Sequence, residues 1–559
     1  MGNLFRRIIM TAVSVVTVSV GVISASTFAT WKQIGFLGDL NGDSKVTVAD
    51  AVIMTKHLLG EQALTSENGY DVKGKYIGIN GSDGFLAKKF LETADINQDG
   101  RVDIFDMIAL RGQIVSQSGL PVWEWIEDGT TAASTTSTIT TTTTTTVISS
   151  EKFIDPPIYD LYGSLPSQES AKIAVFYVDF PDCKYSYSPT AEEIEKIAFG
   201  TENESDGNYP FESMSAFYKR SSKGAMNLTG KAYTYTAKNN KSYYENDVWH
   251  VSLIDEIIAE FDASIDFSQF DGDNDKIIDS ILINVPENAG DDNWWASAGA
   301  FGGDTKNRAD GMDIGHVIVG NAEIKSADDY ANFNSSYLHE MGHCMGLPDY
   351  YLYGVEDFQG MHGSAGFELM DDANCDFGAV SKLMLGWYKP EQIQVYDNSE
   401  SKSFTLNETS LDNSNCLIIP CGELDSNYYS EYFVVEYAGM RKNNSSLANE
   451  RWRTVGEGVR VYHVSAEVTG DLWYNTFIYS SGNDNATNYN NGRRFIRLVG
   501  DGMDSTDNYF HTGDVIDSSF AEFNWYDSNG NMTIQPEIII EVGEISTDNC
   551  TVTVSKRKE

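Results

Sequence analysis

Along this chain, apolar positions change their spacing four times, and each change predicts a different kind of structure. A mostly apolar run from Ile8 to Ile23 follows Arg6 and Arg7, and helix-period patterns then occupy Ala51 to Leu59 and Met107 to Val115. Residues 130–150 are largely Thr with some Ser and Ala, and they lack the apolar content to build a core, so they read as an exposed linker. Beyond them, Lys172–Phe180 and Ile277–Val285 look like buried strands, and Val248–Phe261 has helical spacing. After about residue 390 short strands alternate with polar turns, at Cys416–Pro420, Tyr432–Tyr437, Gly458–Val464, Phe495–Val499, Ile538–Val542 and Cys550–Val554. That spacing predicts a C-terminal β-sandwich behind an α/β domain, or strands that complete the preceding domain.

A length of 559 residues exceeds what one core accommodates and implies several domains. The expected divisions are a signal peptide at 1–29, a calcium-loop module at 38–117, the Thr-rich linker at 130–150, an α/β domain at 151–390 and a β-sandwich at 391–559. The sixteen residues from Ile8 to Ile23 fall short of the roughly 20 that span a bilayer core. With the basic residues before them and Ala25 and Ala29 after, they read as a secretion signal rather than an anchor. Thirty-nine basic against 82 acidic residues give a formal charge of −43, which argues against nucleic acid and anionic membranes as partners. The six cysteines all follow residue 150, and export permits disulfides without dictating a pairing.

Two stretches repeat each other in register. In the first, Asp39, Asn41, Asp43 and Asp50 take positions 1, 3, 5 and 12 of a calcium loop, with the carbonyl of Lys45 at 7 and Thr47 at 9. In the second, Asp95, Asn97, Asp99, Asp103 and Asp106 serve, with the carbonyl of Arg101. Oxygen ligands at alternate positions select a hard cation, here Ca2+. The duplicated loop-helix unit, with Asp at position 12, resembles the type I dockerin of cellulosomal proteins, an all-α calcium-loop module. The resemblance implies docking onto a cohesin module of a scaffold protein through Val48, Ala49, Ile104 and Phe105, and hence an extracellular, cellulosome-associated protein. The stretch from Glu61 to Thr93 is longer than usual for that family.

The run from His339 to Asp349, His-Glu-Met-Gly-His-Cys-Met-Gly-Leu-Pro-Asp, carries the candidate chemistry. Residues four apart share a helix face, so His339 and His343 can present two imidazoles to one Zn2+ while Glu340 projects beside an open coordination position as a general base. Gly346 permits the helix to end and Pro348 keeps it from resuming, which makes Asp349 the favoured third ligand. His362, His316 and Glu368 remain alternatives for that place. The chemistry such a site supports is hydrolysis of a peptide bond by metal-activated water.

Met370, about twenty residues on, is either a plain core residue or the floor of a Met-turn beneath the metal. The H-E-x-x-H-x-x-G-x-x-D pattern with this Met resembles the metzincin clan. Val175–Asp182, the acidic loop at Asp271, His339–Tyr351, Ser381–Trp387 and Glu457–Val464 more specifically resemble the M6 (immune inhibitor A-like) peptidases. The likeness implies a secreted zinc endopeptidase with a β-sandwich after its catalytic domain. Two departures stand out: many metzincins carry His where Asp349 stands, and no N-terminal propeptide is evident. Glu151–Ser170 is long enough to cover a cleft, but nothing marks it as inhibitory.

Asp271, Asp273, Asp275 and Asp279 repeat the calcium-loop spacing ahead of a strand and read as a structural Ca2+ site or a solvated acidic turn. His463 reads as a packed strand residue, and Trp294–Trp295 as cleft lining or core. The expected whole is a multidomain protein: dockerin, linker, α/β metzincin-like zinc peptidase domain and β-sandwich. Its rival is a non-catalytic dockerin-bearing binding protein with a structural zinc site, against which an intact Glu340 argues.

Overall fold

The computed structural model describes residues 29–37, 54, 56, 110, 120–127 and 153–558, excepting 155, 161–162, 246–249, 288–293, 301–308, 352–362, 365, 372, 450–455, 469–476, 481–492 and 501–508. The expected calcium-loop and cohesin-facing residues, from Asp39 to Asp50 and from Asp95 to Asp106, lie outside these, as do the 130–150 linker and His362. The chain divides into two compact units, one holding Thr11–Ile148 and the other Ser149–Glu559.

In the first unit, Met54 and Leu110 are helical and fully buried, while Lys56 is helical and exposed, as the helix-period patterns predict. The described strands of this unit are β1 (Ala29–Leu37) and β2 (Leu120–Glu127), which pair antiparallel with Trp31 opposite Trp125. Ala29, the last residue of the expected signal, opens β1.

The second unit begins with a five-stranded sheet made of β3 (Glu169–Asp179), β4 (Met226–Thr236), β5 (Ile277–Asn284), β6 (Ser297–Ala300) and β7 (Asp313–Gly320). Its order is β4-β3-β5-β7-β6, parallel except for β6, which lies antiparallel on the edge. The apolar stretches Ile173–Val178 of β3 and Ile281–Ile283 of β5 are explained by cover on both faces. Ile173, Val175, Leu282 and Ile318 face one core, and Ala174, Phe176, Ile281 and Val317 face the other.

Helices α1 (Ala191–Phe199), α2 (Met214–Ser221) and α4 (Ala331–Cys344) cover the first face, and α3 (Val251–Phe261) the second. Thr190 and Glu193 close a reciprocal capping box on α1. Asn208 Oδ1 accepts from the backbone N–H of Tyr330 and Ala331 and holds the start of α4.

After α5 (Ala379–Met384), two sheets follow. One runs β13 (Ile496–Leu498), β12 (Gly458–Ser465), β11 (Glu431–Ala438), β10 (Cys416–Pro420), β8 (Ile393–Val395). The other runs β14 (Val515–Ile516), β17 (Ile538–Ile545), β18 (Asn549–Lys556), β9 (Ser401–Asn407), and a hairpin joins β15 (Trp525–Tyr526) to β16 (Met532–Ile534). Leu417, Phe433, Val435 and Val461 pack with Phe404, Ile540, Val552 and Val554 between the layers. The opposite face of the five-stranded layer, with Ile418, Tyr432, Val434 and Tyr462, belongs to the same core as α4. Near the expected boundary at 390 the chain therefore changes from helices to strands while the core continues across it. Among the described residues no helix is long and apolar enough to cross a membrane.

Candidate metal centre

Helix α4 is pinned against the sheet before its last turn. Tyr337 packs on Gly320, where an added β-carbon would lie 2.6 Å from the ring, and its hydroxyl donates to Asn284 Oδ1. Tyr218 of α2 donates to the carbonyl of Leu338 at 2.7 Å. The helix ends after Cys344, Gly346 takes φ +101°, and the N–H of Leu347 returns to Gly342 O at 3.1 Å. A side chain there would strain the backbone, as expected for a helix-terminating glycine.

This turn brings His339, His343 and Asp349 together, with one ligand atom of each within 4.8 Å of the others. Asp349 Oδ1 lies 2.9 Å from His339 Nε2 and 3.3 Å from His343 Nε2. The far side of each ring is fixed by the backbone: His339 Nδ1 meets Leu369 O and His343 Nδ1 meets Leu347 O, both at 2.8 Å. A carbonyl only accepts, so Nδ1 carries a hydrogen on both rings, and when a cation displaces the Nε2 proton that each ring shares with Asp349, both Nε2 lone pairs face the same point. Two imidazole nitrogens and one carboxylate oxygen converging with oriented outer partners fit a divalent zinc-like cation.

The electrostatics agree with a site built for a cation. Burial alone would raise Asp349, but hydrogen bonds from both imidazoles reverse this and hold its carboxyl well below the usual range. Burial alone would lower His343, but Asp349 raises it to about 9, and His339 shifts upward for the same reason. The Glu340 carboxylate stands close enough to favour the charged forms of both rings, and Glu340 is only 8% exposed.

Among the alternative third ligands, Glu368 is buried elsewhere. Its carboxylate accepts from Met370 N at 2.5 Å and Gly378 N at 3.2 Å and meets the Ser381 hydroxyl. His316 on β7 does not join the converging group either; its Nδ1 lies 2.9 Å from Ser164 Oγ, and burial with the neighbouring His343 holds it down at about 4. Met370 is fully buried against the turn between the two histidines, where a β-carbon on Gly342 would lie 2.4 Å from its Sδ. Cys344 points away, toward Ser280 Oγ at 3.8 Å.

In the acidic loop, Asp271, Asp273 and Asp275 converge as a second group able to hold a cation. Asp279 is not among these three. Its two oxygens accept instead from Lys172 N at 2.7 Å and Gly272 N at 2.9 Å, so it shapes the loop. Burial pushes Asp275 up to about 6 and Asp279 up to about 8. Trp294 is core, stacked 3.7 Å from His250, while Trp295 beside β6 is 67% exposed. His463 is packed, with Nε2 2.9 Å from Glu431 Oε1.

Sequence reasoning missed Ser164, the ordering carbonyls of Leu347 and Leu369, and edge strand β6. Backbone partners leave no side-chain signal, and the Ser-Ala-Gly-Ala of β6 has no apolar pattern.

Comparison of the chain with curated proteins gave no match. Residues 37–115 match the dockerin type I domain, within one residue at the start and two at the end of the expected 38–117. Dockerin domains bind calcium and dock onto cohesin modules of scaffold proteins, so this part of the chain is a tether that works outside the cell, in a cellulosome.

Proposed function

We propose that the unit following the linker is a zinc endopeptidase carried to a cellulosome scaffold by the dockerin. The observation that carries this reading is the convergence of His339 Nε2, His343 Nε2 and Asp349 Oδ1 with Glu340 beside them. The likeness of several blocks to the immune inhibitor A-like peptidases supports the same class. Zinc, when bound, supplies the Lewis acidity that polarises a peptide carbonyl and makes water nucleophilic at neutral pH.

The chain's own residues do the rest. Glu340 takes the proton from the attacking water and delivers it to the departing amine nitrogen, so that hydroxyl ends on the acyl carbon and hydrogen on the new amine. The outer edge of antiparallel β6, next to α4, offers backbone donors and acceptors to an extended peptide. Met370 and Leu369 O keep the floor and the His339 ring in place.

The test is casein cleavage by the full chain, with zinc content assayed in parallel, against Glu340→Ala. Loss of cleavage with zinc retained supports the peptidase. Wild type that holds zinc and cleaves no unfolded protein favours the rival, a dockerin-bearing binding protein with a structural zinc site.

A further inference from the structure

Described residues of the segment ahead of the sheet are packed into the core. Ile158 and Leu165 are buried in it, Ile154 N donates to Tyr388 O at 3.2 Å, and Trp387 Nε1 donates to Ser167 O at 2.7 Å. At the middle of this strap, Gly163, Ser164 and Leu165 meet the end of α4. The N–H groups of Ser164 and Leu165 both donate to Cys344 O, at 2.9 and 3.0 Å, satisfying a terminal carbonyl that has no partner within its own helix. A β-carbon on Gly163 would lie 2.9 Å from Met345 C and 3.0 Å from Cys344 O, so only glycine allows this approach.

The Ser164 hydroxyl fastens the strap to two strands. It has one proton, which it donates to Asp279 O at 2.7 Å. Its lone pairs then receive the backbone N–H of His316 at 2.8 Å and the ring Nδ1–H of His316 at 2.9 Å. Gly315 leaves the space, since a β-carbon there would fall 2.4 Å from Ser164 Cβ and Oγ. Ser164 thus ties β5 and β7 through its hydroxyl and the last turn of α4 through its backbone N–H, and Cys344 directly follows His343.

We propose that Ser164 is a positioning residue for the metal centre: bolted to β5 and β7, it fixes the terminal turn of α4 and so the direction of the His343 imidazole. This rests on the zinc reading above. Supporting partners that orient a ligand ring change metal affinity as well as stability, and removing one costs about 10–100-fold in affinity or activity.

The experiment uses the full-length protein as wild type, Ser164→Ala and Ser164→Thr, with Zn2+ affinity from chelator competition, the visible spectrum of the Co2+-substituted form, and kcat and KM on casein. Expected for Ser164→Ala are about tenfold or greater loss of Zn2+ affinity, an altered Co2+ spectrum, and lower kcat at similar KM, with Ser164→Thr restoring all three. Unchanged affinity and spectrum, even with lower thermal stability, would overturn the role and leave the strap as packing. If Ser164→Ala does not fold, His316→Gln moves the donor on Ser164 and is read on the same scales: weaker zinc supports the role and unchanged zinc overturns it. Wild type that takes no zinc overturns the zinc reading itself, so the two failures are distinguishable.

Discussion

Gly342 and Met370 occupy complementary halves of one contact beneath α4, for a β-carbon on Gly342 would stand 2.4 Å from Met370 Sδ and 3.0 Å from its Cε. The residue before Met370 supplies the carbonyl that orients His339. Gly342→Ala is therefore expected to cost about 1–3 kcal/mol through overpacking and to weaken zinc binding as Leu369 shifts. Thermal melts and chelator competition on Gly342→Ala, Met370→Ala and the double variant check this. The double variant is less destabilised than the sum, because one change relieves the other; strict additivity would separate Met370 from the helix.

How far the sequence foretells this depends on whether an interaction stays local. His339, Glu340, His343 and Asp349 fall within one helix and its closing turn, where 3.6-residue geometry and a glycine stop nearly dictate the outcome. Strands β3 and β5 were legible because cover on both faces demands apolar stretches such as Ile173–Val178 and Ile281–Ile283. Ser164 was not, since its partners are a carbonyl on β5 and a histidine on β7, set by tertiary packing. Asp279 was not legible either, because the D-x-D spacing is the same whether a carboxylate faces a cation or, as its two oxygens do, backbone N–H groups.

Glu368→Gln separates a zinc ligand from a structural acid. Burial pushes Glu368 up to about 8 against the hydrogen bonds from Ser381, Met370 and Gly378. The folded state holds this proton longer than the unfolded state, whose carboxyl titrates near 4.5, so this contribution to stability is full below that pH and declines as pH rises to about 8. The amide can donate to Ser381 and accept from Met370 as a protonated carboxyl does, while its nitrogen no longer accepts from Gly378 N. Glu368→Gln keeps zinc stoichiometry and loses this part of the pH dependence in denaturant titrations at pH 4.5 to 8; loss of zinc would return Glu368 to the ligand set.

Asp273 tests the acidic loop. It converges with Asp271 and Asp275 at the foot of β5, the strand that also carries Asp279. Asp273→Asn is expected to bind one fewer Ca2+ per chain in equilibrium dialysis, the dockerin ions remaining, and to lose part of the calcium-dependent rise in Tm. An unchanged calcium count would make the loop a solvated turn.

Asp376 joins the helical layer to the strand layers. It receives Lys382 Nζ at 2.7 Å, the Ser221 hydroxyl and Asn443 Nδ2 at 3.1 Å, and Asn443 Oδ1 in turn accepts from Arg220 Nε at 2.7 Å. Burial would raise the Asp376 carboxyl, but Lys382 and Lys223 reverse this and lower it. Its contribution is therefore present above the ordinary carboxylate pKa and lost as pH falls through the lower folded value. Asp376→Asn leaves Lys382 buried without its counter-charge, a change expected to cost about 3–5 kcal/mol. Replacing the pair together, as Asp376→Asn with Lys382→Met, recovers much of that loss, because no charge is then stranded. Chemical denaturation at pH 7 of the two single variants and the double distinguishes these outcomes, and a double variant no more stable than Asp376→Asn would show that the network holds the layers through Ser221 and Asn443 rather than through the ion pair.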